Sequence, residues 1–191
     1  MSVPTTPNDA PTRVPVLITL GANIAPRHNL PRALALLRAD PRVTLHAVSR
    51  VYETVPLDAT GAPIAGQPPF LNAAAWLRCD AATCPPLVLK FEVLRPIEAR
   101  LGRVRRADKF APRPIDLDIA LYAARVLNSP RLTLPDPQIT TRAHVALPLD
   151  DIAPNWPHPL TGEPLRTIAA RFAHAAGVRV CTDFTLPLPR M

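Results

Sequence analysis

Between residues 115 and 122 apolar and polar positions alternate, with Ile115, Leu117, Ile119 and Leu121 set against Asp116, Asp118, Ala120 and Tyr122. A period of two predicts a β-strand with one face turned to a core. Apolar runs at 16–20, 43–52 and 70–77 predict three earlier strands. Between the first two, Asn29 is placed to cap a helix reaching about residue 38, with Pro31 in its first turn and Asp40-Pro41 stopping it. Thr83 is placed to cap a second helix, with Pro85 and Pro86 in its first turn and Leu87, Phe91, Leu94 and Leu101 as its apolar stripe. Pro96 falls inside that helix and predicts a kink or a break near Glu92.

The order β-α-β-β-α-β is the split βαβ pattern of a ferredoxin-like α+β sandwich. It predicts an antiparallel-rich sheet with two helices packed on one side. A loop is expected over 56–69, where Gly61 and Gly66 add freedom. C-terminal additions follow: a short hairpin near 126–133 and helices at about 140–148 and 163–175. Residues 1–14 read as a flexible tail, 15–180 as the one domain, and 181–191 as a proline-rich C-terminal tail.

Composition narrows the class. A chain of 191 residues holds one well-cored domain. The net charge of +7 raises nucleic acid as a partner, but the positive residues are spread out and only two are lysines. Without a dense basic tract or interleaved aromatics, no nucleic-acid partner is expected. Cys79, Cys84 and Cys181 lack paired metal spacing and read as free thiols in a reducing compartment. No apolar run approaches the ~20 residues of a membrane span, and the first residues lack the apolar core of a signal peptide. A cytoplasmic protein is expected.

The polar face of the last strand carries the chemistry. Asp116 and Asp118 share that face, roughly 6.6–7 Å apart along the backbone. A solvated strand face would show the same letters. Here, however, Arg103, Arg105, Arg106, Lys109 and Arg113 come just before the pair. Two carboxylates suit a hard divalent cation such as Mg²⁺, whose remaining ligands are waters and substrate phosphates. Guanidinium groups beside them suit a polyphosphate. The block points to phosphoryl transfer.

That block, Lys109, Pro112-Arg113, Asp116-Leu117-Asp118 and Ile119, resembles the signature of the 6-hydroxymethyl-7,8-dihydropterin pyrophosphokinase family. Further landmarks stand in family order: Leu20-Gly21-Ala22-Asn23, residues 52–57, Phe70-Leu71-Asn72-Ala73-Ala74, Glu98 to Arg105, and Arg131 to Leu149. The resemblance spans about residues 16–170. It implies transfer of the β,γ-diphosphate of ATP to the pterin hydroxymethyl group, with release of AMP, in folate biosynthesis. It also implies two Mg²⁺ ions on Asp116 and Asp118, and ATP as co-substrate. Arg103 and Arg113 match catalytic arginines. Glu98, Arg105, Lys109, Ile119, Arg131, Thr133 and Arg142 match ATP-binding positions. Thr54, Val55, Leu57, Phe70, Asn72, Phe110 and His144 match the pterin side. The stretch from Gly102 to Ala111 resembles a lid, and a monomer with small-molecule substrates is expected.

Four letters depart from the family pattern. Ala22 replaces a serine, Phe110 a tryptophan, Asp136 a histidine after Pro135, and His144 a phenylalanine. The last two bear on substrate choice. A diphosphotransferase for a modified pterin, or a noncatalytic pterin- or nucleotide-binding homologue, therefore stand as alternatives. Asp116, Asp118, Arg103 and Arg113 together speak against the noncatalytic one, since binding alone does not require all four.

Overall fold

In the computed structural model, the described residues are 13–187 except 57, 59, 61, 106, 107, 109 and 110. The first strand, β1 (Arg13–Ala22), explains the architecture. Val16, Ile18, Leu20 and Ala22 are buried on one face of it and Leu17 on the other. A strand apolar at both parities needs a covering layer on each side. The structure supplies both.

The sheet runs β5 (Asp116–Tyr122), β1, β4 (Phe70–Asp80), β3 (Tyr52–Thr54), β8 (Val178–Val180), with β2 (Val43–Val48) also paired to β4. Every pairing is antiparallel. β4 is long enough to take β3 along its first residues and β2 along its last, on the same edge. The single strand expected over 43–52 is therefore two. Ser49 makes the break: its N–H donates to the Ala74 carbonyl and its hydroxyl accepts from the Ala74 N–H at 2.8 Å. A side chain has taken a place in the ladder, and the chain bends there.

One face is covered by α1 (Pro26–Ala39) and by the helical run 86–100. Leu30, Ala33, Leu34 and Leu37 form the buried stripe of α1. The helix starts three residues ahead of the expected cap. Asn29 lies inside its first turn, and its amide donates to the Ile24 carbonyl at 2.9 Å.

The second helix likewise has no cap at Thr83. Pro85 precedes α2 (Pro86–Val88), while Asp80 accepts from the N–H groups of Ala82 and Thr83. The expected distortion near Glu92 is a π-helical stretch, Leu89–Leu94, leading into α3 (Arg95–Arg100). Pro96 has no N–H to offer the Glu92 carbonyl. That carbonyl instead accepts from Arg42 at 3.1 Å, and the Arg95 N–H reaches back to Lys90. The wider turn rotates the helix phase, so Leu87 is 39% exposed while Leu89, Val93 and Leu94 are buried. Phe91, expected in the stripe, lies under the guanidiniums of Arg95 and Arg131.

The other face carries α4 (Ala143–Ile152) and α5 (Leu165–Ala170), packed on Leu17, Ala74, Ala120 and Leu121. Both helices are displaced or shorter than the sequence suggests, and a 3-10 turn, Pro137–Thr140, precedes α4. The hairpin is β6 (Leu127–Ser129) with β7 (Leu132–Leu134).

β8, which the sequence pattern does not announce, closes the sheet edge at β3. Beyond it Leu186 is buried in the core under α1, so the C-terminal segment is packed at least to that point. At the other end, Arg13 and Val14 belong to β1 rather than to a tail. The three cysteines are free and buried. Among the described residues no helix is long and apolar enough to cross a membrane.

Candidate active site

β5 sorts its residues as the alternation predicts as far as Ala120. Leu117 and Ile119 enter the core under α1, and Asp116 and Asp118 face the opposite side. Past that point the order changes. The register with β1 passes from Ile18↔Ile119 to Leu17↔Leu121, leaving Ala120 as the extra residue of a bulge. Leu121 therefore packs under α4, and Tyr122 enters the α1 core, its hydroxyl donating to the Cys84 carbonyl at 2.9 Å. The expected sides of Leu121 and Tyr122 are exchanged.

Asp116 and Asp118 lie at one end of a cavity of about 580 Å³. Its floor crosses the sheet through Thr19 and Gly21 of β1, Phe70 and Asn72 of β4, and Thr54 of β3. Arg142 and His144, at the N-terminus of α4, form part of the opposite wall. Gly21 leaves room for Asn72, since a Cβ there would come to 3.1 Å from the Asn72 Oδ1 and press on that side chain. The Asn72 amide then donates to Thr54 Oγ1 at 2.8 Å.

The acidic end is densely paired. Arg103 Nη1 lies 2.5 Å from Asp116 Oδ1, and Arg113 Nη1 lies 2.6 Å from Oδ2. Arg103 also donates to the Ile115 carbonyl at 2.7 Å. Beneath the strand, Glu98 is 2% exposed. It accepts from the Leu117 N–H at 2.9 Å and from Arg105 at 2.6 Å. Burial nevertheless pushes its carboxyl up to about 7.

Asp118 accepts no hydrogen bond from the described residues. Burial, and next the Asp116 carboxylate, push it up to about 6. Asp136 lines the same cavity and is also raised by burial, although it accepts from the Gln138 N–H at 2.8 Å. Asp118 faces the carboxylates of Asp116 and Asp136, and the cations Lys90 and Arg103 offset only part of that charge, so the set can take a cation. Among the described residues no three ligands converge on one point, so water and phosphate oxygens would complete the shell, as Mg²⁺ prefers. The residues fit that ion.

The structure thus brings Thr54, Val55, Phe70, Asn72, Arg113, Asp116, Asp118, Arg142 and His144 to one cavity, with Arg103 held against Asp116. Other candidates lie elsewhere. The Ile119 side chain is in the core, Glu98 and Arg105 pair beneath β5, Arg131 covers Phe91, and Thr133 is exposed on β7. Leu57, Lys109 and Phe110 lie outside the described residues. So do residues 106 and 107 of the expected lid.

Two contributions are absent from the sequence reading. Asn23 Oδ1 accepts from the Arg113 N–H at 2.7 Å, and the Arg113 carbonyl accepts from the N–H groups of Asn23 and Ile24. The motif letter is visible in sequence, but its partner lies 90 residues away. Phe172, Ala175, Ala176, Gly177 and Val178 line the cavity from the C-terminal segment, and no motif marks them.

Fold and cavity together define an α+β protein with an arginine-lined carboxylate cleft suited to a metal-bound polyphosphate. The family model described as 7,8-dihydro-6-hydroxymethylpterin-pyrophosphokinase (HPPK) matches residues 17–154. The chain belongs to that family. A 2-amino-4-hydroxy-6-hydroxymethyldihydropteridine pyrophosphokinase of Synechocystis is 36% identical over 162 residues, 84% of this chain and 77% of the relative. The same-named protein of Pseudomonas aeruginosa is 39% identical over 141 residues, 73% and 81% respectively. Among solved structures, a Plasmodium falciparum HPPK-DHPS triple mutant superposes with a TM-score of 0.64 at 14% identity, which shows likeness of fold. The match covers 84% of this chain but only 43% of that one.

Proposed function

We propose that the protein is an ATP-dependent pyrophosphokinase that transfers the β,γ-diphosphate of ATP to the hydroxymethyl oxygen of 6-hydroxymethyl-7,8-dihydropterin, releasing AMP, as a step of folate biosynthesis. The observation that carries this reading is one cavity with a carboxylate-arginine end on β5 and a neutral aromatic-amide end on β4 and β3.

Asp116 and Asp118 would hold two Mg²⁺ ions, which would supply charge neutralisation to the oxygens of the transferring group. Arg103 and Arg113, paired with Asp116 in this structure, stand where their guanidiniums would meet the phosphate oxygens of a bound nucleotide. Arg142 adds charge from the start of α4. At the neutral end, Phe70 supplies a ring face and Asn72 an amide whose NH₂ is held by Thr54 Oγ1. His144 is lowered to about 4 by burial and by Arg142, so it presents a neutral ring at pH 7. Positioning and charge compensation suffice, because this class of transfer asks little covalent chemistry of the protein.

³¹P NMR of the protein with Mg²⁺, ATP and 6-hydroxymethyl-7,8-dihydropterin tests the reading. AMP with a pterin diphosphate is expected. ADP would show transfer of a single phosphoryl group and overturn it. ATP binding without turnover would redirect the assignment to a modified pterin, for which Asp136 and His144 are the departures at hand.

A further inference from the structure

The family match ends at residue 154, yet the cavity wall does not. Phe172 and the small residues Ala175, Ala176 and Gly177 line it together with Val178, the first residue of β8. Their place follows from the sheet order. β5, with the aspartates, and β8 stand at opposite edges, four strand spacings apart, or roughly 19 Å. β8 is paired to β3, with Val178 opposite Thr54. Just before it the Gly177 carbonyl accepts from the Val55 N–H at 3.1 Å, in a turn where Gly177 has φ +75°. A side chain is strained there, and its Cβ would rest on Val55 at 3.7 Å.

β3 has three residues and would be an open edge without β8. The segment therefore does two things. It holds Thr54 and Val55 in register, and it adds an aromatic and a small-residue surface at the neutral end, far from the aspartates.

We infer that Phe172 and Ala175–Val178 are part of the acceptor subsite and set affinity and size tolerance for the pterin, not for the nucleotide. The inference rests on the proposed function and extends it to residues beyond the family match. Phe172, half-buried against the core under α4 and α5, also lines the cavity, where the exposed part of its ring would meet a flat heterocycle. The Ala-Ala-Gly run leaves the end of the slot wide, and its width bounds the substituent an acceptor can carry.

Steady-state kinetics with each substrate varied, beside calorimetric binding of the pterin in the presence of a nonhydrolysable ATP analogue, reads this directly. Phe172→Ala should raise the pterin KM and Kd about three- to tenfold, the scale of one aromatic contact, and leave the ATP KM within about twofold. Ala176→Phe, at an exposed wall position, should weaken the pterin by about tenfold or more while a thermal melt stays within a few degrees of the parent's. Arg179→Ala, which removes only the exposed pair with Glu53, should change neither constant. An unchanged pterin KM in both wall variants, or an equal rise in the ATP KM, overturns the inference while leaving the function standing if the unaltered protein makes AMP and pterin diphosphate. If the unaltered protein neither turns over nor binds the pterin, the functional reading falls, and this assignment with it.

Discussion

Arg113 Nη1 lies 2.6 Å from Asp116 Oδ2, and the same guanidinium stands 5.5 Å from the centre of the Phe70 ring. One side chain therefore touches both ends of the cavity. It neutralises the carboxylate in this structure and is placed to follow charge onto a phosphate. Its backbone is fixed from the first strand by Asn23, so the reach of the guanidinium starts from a rigid base.

Arg113→Ala should lower kcat by about 10²–10³ with a smaller change in KM, since the contact strengthens as charge develops on the transferring group. Comparing kcat and KM for both substrates checks this. Unaltered turnover would place Arg113 outside the reaction.

Asp118→Asn should abolish measurable turnover yet leave the fold intact or slightly stabilised. The half-buried carboxylate accepts no hydrogen bond from the described residues and faces Asp116, so its charge works against folding. Thermal melts should show a Tm equal to or above that of the parent. Added Mg²⁺ should raise the parent's Tm and not the variant's.

Asn23→Ala should cost about 1 kcal/mol in stability, the worth of its bond to the Arg113 N–H, and lower kcat with it. Asn23→Asp keeps the accepting oxygen and should recover most of the stability in a denaturant titration.

His144 gives a pH signature. Burial lowers its folded pKa to about 4, below the ordinary value of 6.5, so the unfolded chain binds the extra proton between those values. Its contribution to stability is full above pH 6.5 and is lost as pH falls toward 4. His144→Phe should remove that component, and the parent-minus-variant difference in unfolding free energy should slope only inside this window. A flat difference would mean the imidazole is solvated.

Much of the cavity is legible in the chain because its chemistry sits in local patterns. The alternation around Asp116 and Asp118 sets both on one face, and Arg113 is three residues from its partner. Thr54, Phe70 and Asn72 are motif letters, and they line the same cavity. Glu98 shows the limit. Its letter matches a nucleotide contact, but the structure buries it beneath β5, where it supports Leu117, Arg103 and Arg105.

By itself the sequence determined the order of the main elements up to β5, apart from the break at Ser49, together with the antiparallel α+β class and the paired carboxylates, because period-two alternation and proline stops act over a few residues. Tertiary structure decided what depends on distant partners. The Ala120 bulge exchanges Leu121 and Tyr122 because β1 sets the register of β5. The π-helical stretch rotates Leu87 outward because Pro96 withholds an N–H from Glu92, whose carbonyl Arg42 satisfies from 50 residues away. β8 exists because the short strand β3 has an edge to be paired. Hydrogen bonds and packing across such separations leave no periodic trace in the chain, and only the folded arrangement supplies them.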